Sequence, residues 1–171
     1  DLGSRGLGDV YKRQDKEVSE NMKVGQIAKN PALGLRGIRY SLYEKNLFKV
    51  QIKAMLRAAK NGKLRILIPM ITTLDEINKA KRLIDEAKVE LVKEKKSFNH
   101  KYEIGIMIEV PASAIQSNVL SKYVDFMSIG TNDLVQYILA IDRIDDEVTS
   151  LYDPTNPAVL QLIKQVIETC K

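Results

Sequence analysis

Three short apolar runs, separated by stretches of helical periodicity, constrain this chain more than any other feature. Leu64-Arg-Ile-Leu-Ile68 lies between Asn61-Gly62 and Pro69, a buried strand bounded by turn residues. Residues 104–109 and 124–129 repeat the form. Between the first two runs, Thr73 and Glu76 have capping-box spacing, and Leu74, Ile77, Ile84 and Leu91 mark a long amphipathic helix. Pro111 suits the first turn of a helix that carries Ile115 and Leu120 to about Lys122. Another helix begins near Asn132 and carries Tyr137 and Leu139. Asn156-Pro157 starts a last one, with Leu160, Ile163 and Ile167 on one side. Upstream, Phe48, Ile52, Met55 and Ala59 line one face of a helix that Asn61-Gly62 ends. Such alternation gives βαβ units and a parallel sheet, so the predicted class is α/β. A closed (β/α)8 barrel takes eight strands and roughly 250 residues. Three strands fit either a small three-layer sheet or part of a TIM-type barrel truncated at both ends. A lone three-stranded sheet would leave its edges bare, which favours the partial barrel.

Residues 1–14 do not join this pattern. Gly3, Gly6 and Gly8 sit in a stretch with no amphipathic period, and a phosphate-binding loop there would lack its preceding strand and following helix. The stretch resembles translated sequencing-adapter read-through, with a native glycine-rich loop as the alternative, and it is set aside as non-native. Residues 15–171 then form one domain fragment. The whole chain carries +5; residues 1–14 hold three cations against two anions, leaving +4 for the rest. Lysines alternate with glutamates through Lys88–Lys96, which reads as a solvated helix end with cations near the negative dipole. With no Trp and 6% aromatic residues, the chain lacks the aromatic partners of a nucleic-acid face. The single cysteine, Cys170, excludes a disulfide within the chain and a thiolate metal site, and is expected to be a small packing group. No apolar run approaches the ~20 residues needed to span a bilayer, so no membrane insertion and a cytoplasmic setting are expected.

Two acidic side chains stand where chemistry is expected. Glu109 follows the run Ile104–Ile108, and Asp133 closes Gly130-Thr131-Asn132-Asp133 after the third run. The carboxyl ends of parallel strands are where a β/α barrel keeps its active site. Two hard oxygen ligands suit Mg²⁺, which takes one or two protein carboxylates and completes its shell with water and substrate phosphate. The alternative is that both acids serve the following helices as caps or dipole partners. His100 lies in a polar connector with no orienting partner in view, so it is not read as a phosphoacceptor.

Several segments together resemble the phosphoenolpyruvate-binding barrel of the enzyme I family of the bacterial sugar phosphotransferase system. They are Asn30-Pro-Ala-Leu-Gly-Leu-Arg-Gly-Ile-Arg39, Gly62-Lys-Leu-Arg-Ile-Leu-Ile-Pro-Met70, Ile104-Gly-Ile-Met-Ile-Glu-Val-Pro111, Ser128-Ile-Gly-Thr-Asn-Asp-Leu134 and Asp142-Arg143. Single motifs are shared with pyruvate phosphate dikinase and phosphoenolpyruvate synthase. The run Arg57–Arg65 and the tail Leu151–Leu160 favour enzyme I. The resemblance implies that Arg36, Asn132 and Arg143 bind substrate and that Glu109 and Asp133 hold Mg²⁺. It also implies phosphoryl transfer from phosphoenolpyruvate, leaving pyruvate, to a histidine of the parent enzyme and on to the histidine-containing phosphocarrier protein, with a homodimeric parent. The residue types suit this, because phosphoryl transfer rests on positioning and charge stabilisation, and arginine grips phosphate bidentately. The family's cysteine lies on a loop beyond Lys171, so no catalytic residue is assigned here, and residues 15–171 alone are expected to be inactive and poorly folded. Arg65 is left unassigned, aimed either at the site or at a neighbouring helix. The reading from another class is a basic, non-catalytic interaction domain.

Overall fold

Strands β1 (Leu64–Ile68), β2 (Tyr102–Ile108) and β3 (Phe126–Ile129) pair in parallel in the order in which they occur along the chain. The computed structural model describes residues 30–170, and the stretch 1–14 lies outside them. Leu64 sits opposite Tyr102 and Ile68 opposite Ile106, and β3 joins with Gly105 opposite Phe126 and Ile108 opposite Ile129. A doubly wound sheet reverses its strand order at a switch point, whereas a barrel adds each strand beside the last. The three strands show no reversal and so fit the arc of a barrel, the class the sequence predicts.

The two-residue period of the strands divides the sheet's side chains between two faces. Ile66, Ile68, Ile104, Ile106 and Ile108 are buried on one face. They belong to a core with Ile77, Ala80, Ile84, Ala87 and Leu91 of α3 (Leu74–Lys93), the helix that links β1 to β2. The opposite face carries Arg65, Glu103, Gly105 and Phe126. There Arg65 Nε donates to Glu103 at 2.5 Å, and its guanidinium lies 4.3 Å from the centre of the Phe126 ring. Gly105 leaves the space that this ring occupies. Arg65 therefore aims neither at the strand ends nor at a helix.

Two helices precede the sheet, α1 (Ile38–Tyr43) and α2 (Lys45–Ala58). Phe48, Ile52 and Leu56 of α2 are buried, while Met55 is only partly covered and Ala59 lies in the following 3-10 turn. The inward stripe thus runs at i, i+4 and i+8. Lys49 and Lys53 bridge α2 to Glu90 of α3 and to Glu94, the C-cap of that helix, at 2.7–3.0 Å. The start of α3 carries the predicted capping box: Thr73 Oγ1 accepts from the Glu76 amide at 3.3 Å, and Glu76 Oε2 accepts from the Thr73 amide at 2.9 Å.

Three expectations need correction. The helix after Pro111 is interrupted at Gln116 into α4 (Pro111–Ile115) and α5 (Ser117–Leu120), so Ile115 is exposed while Leu120 is buried. In the last helix, α7 (Pro157–Thr169), Val159 and Val166 face the core, and Leu160 and Ile167 are exposed. Both pairs have the same seven-residue spacing, so periodicity alone cannot choose between them; packing of α4 and α5 against α7 makes the choice. Cys170 is exposed rather than packed.

Candidate functional site

Glu109 is the first residue past β2 and is 1% exposed. Its Oε1 accepts the backbone N–H of Met70 at 2.7 Å. Met70 lies two residues past the end of β1 with φ at 60°, a left-handed conformation that a residue of its type rarely adopts. The carboxylate thus ties together the carboxyl ends of two neighbouring strands. It does not cap the helix that follows, whose N-cap is Val110.

Glycines make two close approaches here. Gly37 has φ 55°, and a Cβ on it would stand 2.7 Å from Met70 Cβ; the neighbouring Ile38 N–H donates to Pro69 O at 3.2 Å. The turn that carries Arg36 is thereby seated on the end of β1. Gly130 follows β3, and a Cβ there would stand 2.8 Å from Glu109 Cβ and 3.0 Å from Glu109 Oε2.

Asp133 lies in the first turn of α6 (Thr131–Leu139), where the helix dipole favours an anion, and is 1% exposed. Arg36 Nη2 lies 3.4 Å from its Oδ2, and Arg143 Nη2 lies 3.2 Å from its Oδ1. The two arginines come from opposite directions along the chain, 97 residues before and 10 residues after the acid. A buried carboxylate held this way is costly to lose, because its removal leaves two cations facing each other.

Two further side chains of α6 complete the cluster. The Tyr137 hydroxyl accepts from Arg36 Nη1 at 3.2 Å and donates to the Ala32 carbonyl. Gln136 is buried, and its Oε1 accepts the backbone N–H of Arg143 at 3.2 Å. Burial raises the pKa of the Tyr137 phenol, and the charges of Asp133 and Glu109 raise it further against the lowering by Arg36.

The structure thus brings Arg36, Asp133 and Arg143 together, with Glu109 at the adjoining strand end. Asn132 is exposed beside Asp133, and its carbonyl accepts from the Tyr152 hydroxyl at 3.3 Å. Arg39 braces the turn through the carbonyls of Leu33 and Gly34 at 3.1 and 3.4 Å. His100 is exposed and rests on Phe98, with ring centres 4.3 Å apart. Sequence reasoning missed Met70, Gln136 and Tyr137 as site neighbours. The available signal was the four-residue step from Asp133 to Tyr137, which places both on one helix face.

Among the described residues, no three His, Cys, Asp or Glu side chains gather as a metal-ligating group. A cation here would rest on two carboxylates, which are hard, buried oxygen donors of the kind magnesium takes. The donor set fits that ion in kind and number.

A barrel arc with buried acids and arginines at the carboxyl ends of its strands defines the class of enzyme barrels that act there. The chain belongs to the family of PEP-utilising enzymes: residues 8–171 match the model of their PEP-binding domain. The match begins within the stretch that the sequence set aside. Proteins named phosphoenolpyruvate-protein phosphotransferase are similar to it. That of Mycoplasma capricolum is 49% identical over 138 residues, and those of Latilactobacillus sakei and Staphylococcus aureus are each 48% identical over 139. In each case the match covers 81% of this chain and 24% of the relative, so the chain spans about a quarter of the length of these relatives. Among solved structures, a citrate lyase from Burkholderia xenovorans superposes with TM-score 0.53 at 18% identity, covering 71% of this chain and 37% of that one, a likeness of fold.

Proposed function

We propose that this chain supplies the substrate-binding and metal-binding part of a phosphoenolpyruvate-protein phosphotransferase. The intact protein takes the phosphoryl group from phosphoenolpyruvate onto a histidine outside the described residues and passes it to a histidine-containing phosphocarrier protein. The observation that carries this reading is Asp133, buried with an arginine at each oxygen. Arg36 and Arg143 bind the phosphate and carboxylate of the substrate, for which the planar guanidinium is suited. Asn132 holds the substrate near its phosphate. Glu109 and Asp133 would hold Mg²⁺, which when bound neutralises charge on the transferring phosphoryl oxygens. Burial of both carboxylates strengthens their attraction for a cation.

The relatives' names favour this reading over a pyruvate phosphate dikinase or phosphoenolpyruvate synthase. A basic interaction domain without catalysis is not what the relatives' names describe. Among the described residues no helix is long and apolar enough to cross a membrane. The intact protein is proposed to be cytoplasmic and a homodimer.

The test is Asp133→Ala and Asp133→Asn in the intact protein. Both are expected to lose Mg²⁺-dependent turnover of phosphoenolpyruvate, by about 100-fold or more if the acid holds the ion. Retained turnover would remove the metal assignment.

A further inference from the structure

Tyr137 holds the guanidinium of Arg36 by one nitrogen while Asp133 holds it by the other. Both grips come from one face of α6, one helical turn apart. They differ in kind. The Asp133 contact is an ion pair at 3.4 Å, beyond ordinary charge-assisted hydrogen-bond length. The Tyr137 contact is a hydrogen bond at 3.2 Å to a neutral oxygen. The phenol proton is itself committed, because it donates to the Ala32 carbonyl in the 3-10 turn just before Arg36. That donation turns the oxygen lone pairs toward the arginine. One hydroxyl thereby fixes both the backbone leading to Arg36 and the guanidinium itself.

We infer that Tyr137 is a positioning residue for substrate binding, setting the plane and reach of the Arg36 guanidinium when the charge of Asp133 is shared with a cation. The inference rests on the assignment of Arg36 to the substrate phosphate. An ion pair weakens when its acid turns to a metal, whereas a neutral phenol keeps its bond. Its proton stays in place at neutral pH, since burial raises the phenol's pKa from an already basic value. Arginine binds phosphate well only when its fork is aligned, so a loose guanidinium loses affinity before it loses the chemical step.

The test uses the intact protein with Tyr137→Phe, Arg36→Ala and the double variant. Phenylalanine keeps the ring and removes only the hydroxyl. Binding of phosphoenolpyruvate with Mg²⁺ is measured by calorimetry in a variant background that cannot turn over, and KM and kcat are measured separately. Tyr137→Phe is expected to weaken binding and raise KM about tenfold, the scale of one hydrogen bond to a charged group, with kcat within about twofold. In the Arg36→Ala background the same change is expected to cost nothing further, because its target is gone. Hydrogen exchange over residues 31–39 is expected to quicken in Tyr137→Phe, a readout independent of substrate. Unchanged affinity in Tyr137→Phe would overturn the inference, as would an equal loss with and without Arg36. If Arg36→Ala alone leaves affinity intact, the assignment of Arg36 to the substrate falls first and takes this inference with it.

Discussion

Gly37 is the residue whose replacement tests how the Arg36 turn is built. Its backbone, φ 55° and ψ −134°, lies where side chains are rarely tolerated, and holding a residue there costs about 1–3 kcal/mol. The new methyl would also stand 2.7 Å from both Cβ and Cγ of Met70 and 3.4 Å from Pro69 O. Relieving such a clash in a packed site costs about 1–3 kcal/mol more. Gly37→Ala is therefore expected to destabilise the domain by roughly 2–6 kcal/mol, a large share of a typical domain's stability. The displaced neighbour is Met70, whose amide binds Glu109, so both the arginine turn and the acid should shift together. Urea unfolding of the intact protein measures the first effect, and KM for phosphoenolpyruvate the second. Gly62 is the control, with extended backbone at φ 176° and nothing within 4 Å of an added Cβ. Gly62→Ala is expected to change stability by less than about 1 kcal/mol, and in the stabilising direction. If Gly37→Ala behaves like Gly62→Ala, the seating of this turn on Met70 is wrong.

Two further outcomes follow from the sheet and the helix pair. Gly105→Ala puts a methyl into the Phe126 ring, so it should cost about 1–3 kcal/mol, and Phe126→Leu in that background should recover part of the loss; a purely additive double variant would refute the shared space. Hydrogen bonds from Lys96 and Lys53 lower the pKa of Glu94 to about 2. A lowered acid contributes stability that is present above its ordinary value of 4.5 and is lost as pH falls through about 2. The thermal midpoint of the wild type should therefore fall toward that of Glu94→Gln between those two pH values, and curves that stay parallel would contradict the pairing.

Much of the fold was legible in the chain. The apolar run at 64–68, the Thr73–Glu76 capping box and the stop at Pro69 each arise from interactions within a few residues and appear where the sequence puts them, while the strands expected at 104–109 and 124–129 fall at 102–108 and 126–129. Glu109 could be picked out because a residue just past a strand is fixed in space by that strand, and Asp133 because it opens the helix that follows β3. Arg36 and Arg143 were legible only through resemblance, since nothing local distinguishes them from surface cations.

What sequence alone determined is the period and order of the elements, with one acid just past β2 and another at the start of the helix after β3. Tertiary structure decided which partners those acids meet. Arg36 reaches Asp133 across 97 residues, the Met70 amide turns to Glu109 through a left-handed residue, and the Tyr137 hydroxyl bonds Ala32. It also decided that α7 turns Val159 and Val166 inward in place of Leu160 and Ile167, and that Arg65 lies over Phe126. The physical reason is one of range. Backbone geometry sets periodicity within a turn or a strand pair. Contacts between distant residues depend on how whole elements cross, and on which of several near-equal apolar faces the rest of the core accepts.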